Sequence, residues 1–99
     1  MTLELVVRRP AERDLLEAQQ WYDDQRAGLG SEFRSEVERL FERLLRSPEM
    51  YPVVYRGVRR AVLRRFPYLL FFAAEEKRVV VLACFHASRD PRRMEERLF

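Results

Sequence analysis

The sequence predicts an α+β fold of two layers, an α-helical hairpin packed on an antiparallel sheet in the order β-α-α-β-β-β, closed by a short C-terminal helical turn. Three observations predict it. The chain opens on a short stretch of alternating character, Thr2–Val7. Two segments with apolar residues at helical spacing follow, separated by Ala27-Gly28-Leu29-Gly30. The second half then carries two nearly continuous apolar runs, Tyr68–Ala74 and Val79–His86, joined by four charged residues. With 99 residues, 47% hydrophobic and 12% aromatic, there is material for one core and no second, so residues 1–99 are read as one domain.

Within Thr2–Val7, side chains of Leu3, Leu5 and Val7 share one face and Thr2, Glu4 and Val6 the other, as in a half-buried strand. The acid inside this short apolar run is foreign to a secretory signal, and a cytoplasmic protein is expected. Pro10 suits the first turn of a helix, where its missing N–H costs nothing, and Glu12 and Asp14 favour the positive end of the helix dipole. Ala11, Leu15, Ala18 and Tyr22, flanked by Leu16 and Trp21, then mark one stripe running to Gln25. Trp21 and Tyr22 have the chemistry to stack on bases, but at this spacing they read as core.

The two glycines between Ala27 and Gly30 allow a tight helix-to-helix connection. Ser31 is the expected cap of the second helix, whose apolar face comprises Phe33, Val37, Leu40, Phe41, Leu44 and Leu45. Burial of those six side chains contributes on the order of 10–15 kcal/mol before entropy is subtracted, with Phe41 expected to matter most. Ser47-Pro48 ends the helix, because the residue before a proline is driven from the α region.

Met50–Tyr55 reads as a loop into an edge-type strand, and Gly57 as a bulge or turn. A strand is predicted from Val58 to Phe66, with Arg60 and Arg64 on one face and Arg59 and Arg65 on the other, and Pro67 separates it from the next. Tyr68–Ala74 and Val79–His86 are predicted to pair antiparallel around Glu75-Glu76-Lys77-Arg78, covered by the two helices. Asp90-Pro91 caps and opens the last helical turn.

Charge is distributed unevenly. Net charge is +3, yet no acid lies between Glu49 and Glu75, while Arg56, Arg59, Arg60, Arg64 and Arg65 fall inside that interval. These arginines have no sequence-local counterion. They fit RNA phosphates, an acidic protein, or a solvated edge paired with helix carboxylates. The apolar runs are far shorter than the ~20 residues a spanning helix needs, so no membrane association is expected. One cysteine, Cys84, excludes an internal disulfide and reads as a buried small hydrophobe. One histidine and one cysteine, close together in a strand, cannot build a zinc site, and phosphate-binding and nucleophile-elbow motifs are missing from the sequence, so no metal or cofactor is expected. His86 stands where an apolar strand gives way to Ala87-Ser88-Arg89-Asp90-Pro91, a position that suits either a site residue or a strand-end cap.

Several of these stretches occur together in one known family. A-x-x-D-L-x-E-A-x-x-W-Y at Ala11–Tyr22, G-L-G-S-E-F at Gly28–Phe33, Ser47-Pro48, R-R-F-P-Y-L-L-F-F at Arg64–Phe72 and H-A-S-R-D-P at His86–Pro91 resemble the RelE/ParE toxins of bacterial type II toxin–antitoxin modules. The resemblance covers nearly the whole chain and implies the same β-α-α-β-β-β order. It implies a toxin held inactive, in a hetero-oligomer, by a cognate antitoxin whose amphipathic, acidic C-terminal segment wraps it. Two mechanisms exist in the family, ribosome-dependent mRNA cleavage on the RelE side and inhibition of DNA gyrase by binding on the ParE side. The F-P-Y and H-x-x-R-D-P elements look more like the ParE, plasmid-stabilisation side, and the Arg97-Leu98-Phe99 terminus lacks the tyrosine or histidine of many RelE-like nucleases.

Gyrase inhibition is therefore the expected activity, mRNA cleavage the alternative, and a non-toxic binding module of the same fold the third reading. For binding an antitoxin or target, the resemblance and the charge pattern together point to Arg56, Arg59, Arg60, Arg64, Arg65, Arg89 and Arg97. A nuclease would draw its base, acid and cations from His86, Tyr68, Arg65 and Arg89.

Overall fold

The computed structural model describes residues 3–98. Strand β1 (Glu4–Val7) leads into helices α1 (Arg9–Gln25) and α2 (Leu29–Arg46), and a 3-10 turn at Pro48–Met50 follows. Strands β2 (Val53–Tyr55), β3 (Val58–Val62), β4 (Tyr68–Ala74) and β5 (Arg78–His86) come next, and helix α3 (Pro91–Leu98) ends the described chain. The expected positions of Thr2 and Phe99 lie outside the described residues. None of the described helices is long and apolar enough to cross a membrane.

Five strands form one sheet in the order β1-β5-β4-β3-β2. β2 through β5 make an antiparallel meander, as the hairpin signals predict. β1 differs from the expectation of a wholly antiparallel sheet: it runs parallel to β5, from Glu4 opposite Arg78 to Val7 opposite Val81. The excursion through both helices and the meander returns β5 alongside β1 in the same direction, so the sheet is mixed.

One face of the sheet receives α1 and α2. Leu15, Ala18, Phe33, Val37, Leu40 and Leu44 meet Leu70, Phe72, Val79 and Val81 there. The other face has its own cover, which the helical hairpin was expected to provide alone: Met94 and Leu98 of α3 pack on Val58, Phe71, Val80 and Phe85. Having cover on both sides explains why Val79–Phe85 is apolar at every position rather than at alternate ones.

Phe33 replaces Phe41 as the centre of the core. It is fully buried and touches the rings of Tyr22, Phe66 and Tyr68 at centroid distances of 5.4, 5.3 and 5.3 Å, whereas Phe41 keeps a slightly exposed edge. α2 also starts earlier than Ser31. Its first turn is satisfied by Asp23 of α1, whose Oδ1 accepts the Gly30 N–H at 2.7 Å, and Gly28 takes a left-handed φ of 89° just before it. Gly30 is required by this contact, because a Cβ there would sit 2.4 Å from the Gln19 carbonyl oxygen and 2.7 Å from Asp23 Cγ.

Two turns place the arginines. Arg56 and Gly57 both have positive φ, 40° and 78°, which is the backbone of a two-residue hairpin turn between β2 and β3. β3 stops at Val62 rather than running to Phe66. Leu63 donates its N–H to the Tyr68 carbonyl and Tyr68 donates back to the Phe66 carbonyl, closing a turn that folds Leu63 and Phe66 into the core. Arg64 and Arg65 therefore lie in a turn, outside the strand alternation expected of them.

Candidate functional site

The site begins with a break in β5. Pairing with β4 shifts between Phe71 opposite Ala83 and Phe72 opposite Val81, so one extra residue sits in β5 near Leu82. Before this bulge, Val79 and Val81 face the helical hairpin; after it, Cys84 does, while Ala83 and Phe85 face α3. Without the extra residue the parity of Val79 and Val81 would continue to Ala83 and Phe85, and His86 would turn to the opposite face.

β1 ends opposite Val81, which leaves the edge of β5 beyond it without a strand neighbour. Asp14, carried on the buried stripe of α1, fills that gap: its Oδ2 accepts the Cys84 N–H at 3.0 Å. Arg97 of α3 closes on the same carboxylate with two bonds, at 3.0 Å to Oδ1 and 2.8 Å to Oδ2, and its guanidinium also lies 5.0 Å from the centre of the Phe85 ring. One buried carboxylate thus ties α1, β5 and α3 together.

Beside this knot, Glu17, Trp21, Tyr68, His86 and Arg89 line a pocket of about 210 Å³. His86 stands edge-on to Tyr68, with ring centres 5.3 Å apart. Its Nδ1 accepts the Ser88 backbone N–H at 3.1 Å and lies 2.7 Å from Ser88 Oγ, so one ring nitrogen holds the turn that follows β5. Burial, with smaller contributions from Tyr22 and Cys84, raises the Tyr68 phenol above its ordinary range. Arg89 spreads its guanidinium over the Phe85 ring at 4.6 Å. Trp21, expected in the core, is 56% exposed at the mouth of this pocket. Tyr22 takes the core position.

His86, Tyr68 and Arg89 are thus brought together, and Arg65 is not. Arg65 donates to Glu32 of α2 at 2.8 Å, and that bond, with a second from Arg26, lowers the Glu32 carboxyl below its usual range. Arg59 donates to the backbone carbonyls of Tyr51 at 2.6 Å and Glu49 at 3.3 Å, bracing the loop before β2. Arg97 is held by Asp14, as above. Arg56 lies 5.4 Å from the ring centre of Tyr55 at the hairpin tip. Arg60 and Arg64 are exposed and make no ion pair among the described residues. Arg60 borders a second, larger depression of about 490 Å³ on the α3 face, floored by Leu69, Phe71 and Leu98 and rimmed by Arg92.

Asp14, Glu17 and the exposed Trp21 are site residues that sequence reasoning missed. For Asp14 a signal existed: it stands three residues after Ala11 and four before Ala18, inside the apolar stripe, where a carboxylate requires a buried partner. No group of three or more His, Cys, Asp or Glu among the described residues is arranged to hold a metal ion.

The model of the family described as ParE toxin of type II toxin–antitoxin system, parDE, matches residues 5–91. Among solved structures, a chain of the chromosomal ParDE toxin–antitoxin system from P. aeruginosa superposes with a TM-score of 0.65 at 20% identity, over 87% of this chain and 97% of that one. A chain of the toxin–antitoxin complex RelBE2 from Mycobacterium tuberculosis gives 0.62 at 23% identity, over 87% and 99%. At these identities the likeness is one of fold, three helices on a five-stranded mixed sheet. No curated protein sequence matches the chain.

Proposed function

Because the chain belongs to the ParE toxin family of type II toxin–antitoxin systems, we propose that it is a cytoplasmic, single-domain toxin that inhibits DNA gyrase by binding and needs no cofactor. The observation that supports this reading is that, of the candidate cations, Arg89 alone lines the His86 pocket, while Arg59, Arg65 and Arg97 are engaged elsewhere. Stabilising a phosphorane takes free cations aimed at one point. Here Arg59 is held by backbone carbonyls, Arg65 by Glu32 and Arg97 by Asp14. His86 spends one nitrogen on the Ser88 turn, and the pocket beside it carries the Glu17 carboxylate, which repels a phosphate.

Ribosome-dependent mRNA cleavage is the second reading, supported by the convergence of His86, Tyr68 and Arg89 on one pocket. The two separate cleanly in assays on the purified protein. Gyrase binding predicts loss of DNA supercoiling activity with no RNA product. The opposite pattern, intact supercoiling with cleavage of ribosome-bound mRNA that disappears in His86→Ala, would overturn the proposal. Unimpaired growth on expression without antitoxin, with antitoxin binding retained, would leave only the non-toxic binding module.

The proposed partner in the neutralised state is an antitoxin with an acidic, amphipathic C-terminal segment. β2 is a three-residue edge strand whose Val53 and Val54 are exposed, as is Val62 of β3. An extended segment adding to this edge would place apolar side chains in the depression over Leu69 and Phe71 and acidic ones against Arg60 and Arg92. Arg60→Glu and Arg64→Glu are expected to weaken the complex roughly tenfold each, measured by calorimetry. Unchanged affinity in both would remove this surface from the interface.

A further inference from the structure

We propose that the pocket between α1 and the end of β5 is a receptor for a single arginine side chain presented by a protein partner. Three features of its lining select that guest. Trp21 offers the face of an exposed indole, and Tyr68 and His86 provide further aromatic wall. A guanidinium is the side-chain group that both stacks on such rings and is attracted by them. The second feature is Glu17. It lies one helical turn before Trp21 on α1, is exposed, and makes no ion pair among the described residues; Arg13, one turn further back, does not close on it. An unpaired carboxylate beside an aromatic face gives the guanidinium a bidentate acceptor.

The third feature is size. At about 210 Å³ the pocket is smaller than the 300–1,000 Å³ typical of small-molecule sites, and suits one long side chain rather than a helix or strand. Of the two carboxylates in the lining, Asp14 is held by Arg97 and by the Cys84 N–H, which leaves Glu17 for a ligand; Arg89, across Phe85 at 4.6 Å, keeps its positive charge at the Phe85 side of the pocket. Glu17 also disfavours a nucleotide, whose base would suit Trp21 but whose phosphate would meet a carboxylate. This surface lies on the helical-hairpin side of the sheet and the depression over Phe71 on the other, with Arg89 bordering both.

Trp21 is the single tryptophan, so its fluorescence reports on the surroundings of this pocket. The test titrates the full chain with N-acetyl-arginine amide, with N-acetyl-citrulline amide, which keeps the shape without the charge, and with uridine monophosphate, all at constant ionic strength. The expected result is a saturable change with the arginine compound at millimolar concentration. Binding should be at least about fivefold weaker for citrulline, and weaker by a similar factor for arginine in Glu17→Gln. Glu17 is exposed on a helix, so the variant should keep the wild-type melting temperature, checked by circular dichroism. Equal binding of arginine and citrulline, unchanged affinity in Glu17→Gln, tighter binding of the nucleotide, or no saturable change would each overturn the proposal.

Discussion

Arg97→Met isolates the cost of leaving a buried carboxylate without its cation. Methionine keeps an unbranched apolar stem and removes the guanidinium together with its contact to the Phe85 ring. In the wild-type protein Asp14 is 8% exposed in its side chain and Arg97 31%, and the pair makes two bonds of 3.0 and 2.8 Å. Breaking a fully buried pair by deleting one partner costs about 3–5 kcal/mol. Arg97 lies at the surface end, so water reaches part of the vacated space, and about 2–3 kcal/mol is the expected loss. In a domain of this length that lowers the melting temperature by about 10–20 °C.

Asp14→Asn removes the buried charge instead and frees an arginine that can turn to water. It keeps an amide oxygen for the Cys84 N–H, so its cost should be smaller, about 1–2 kcal/mol. Adding Asp14→Asn to Arg97→Met should then recover part of the loss, a coupling of about 1 kcal/mol or more in a double-mutant cycle of urea unfolding. If Arg97→Met melts within about 3 °C of wild type, or if the double variant is no more stable than Arg97→Met alone, the carboxylate is not a buried charge that depends on α3.

Gly30→Ala should destabilise by at least about 2 kcal/mol, because the added Cβ would lie 2.4 Å from the Gln19 carbonyl oxygen and the helices must separate to admit it; urea unfolding reads the loss directly. Phe33→Ala should cost about 3–5 kcal/mol and Phe41→Ala less, since Phe33 is enclosed by Tyr22, Phe66 and Tyr68; thermal melts of the pair settle the order. Burial first, and then the negative charge of Asp14, pushes the Cys84 thiol from 9.0 up to about 12. The folded state therefore holds the proton more tightly than the unfolded one, so this contribution is complete below pH 9 and is lost as pH rises from 9 towards 12. Up to about 4 kcal/mol is at stake. Denaturant unfolding between pH 8 and 11 should show the decline, and Cys84→Ala should flatten it while leaving the smaller alkaline slopes of Tyr22 and Tyr68, whose phenols burial also raises.

The elements were legible because their signals are local. Pro10, the 4-3-4 stripe of α1, Ser47-Pro48 and the charged link between β4 and β5 each act within one turn of chain, and the structure follows them. What stayed hidden depends on contacts far apart in sequence. The capping of α2 comes from Asp23 in the preceding helix, so Ser31 looked like the nearer acceptor. α3 reaches the second face of the sheet only through two apolar residues, Met94 and Leu98, too few to register as an amphipathic face. The bulge at Leu82 is the clearest case. Val79–Phe85 is apolar throughout, so nothing in its composition marks where parity changes, yet that change decides that His86 joins Trp21 and Tyr68. Trp21 itself sits one position outside the stripe Ala11-Leu15-Ala18-Tyr22, and a rotation of about 100° per residue is enough to carry it to the surface.

The arginines of Arg56–Arg65 looked uncompensated because compensation was sought nearby. Arg65 finds Glu32, 33 residues away, and Arg97 finds Asp14, 83 residues away. Carboxylates of the acidic first half thus neutralise Arg65 of the run and Arg97 of α3. The exposed pairs are each worth less than about 1 kcal/mol, so they add little to stability, but they remove charge from the surface that a partner meets. Within the run, Arg60 and Arg64 are exposed and make no ion pair among the described residues, and Arg59 is spent on backbone carbonyls. A surface with so few free cations is matched to a protein carrying a few carboxylates. A nucleic-acid interface built on six to ten phosphate contacts would lose about 10³–10⁵ in affinity between 50 and 200 mM salt. Binding through Arg60 and Arg64 should lose about tenfold or less over the same range, a difference that one salt titration of the antitoxin complex resolves.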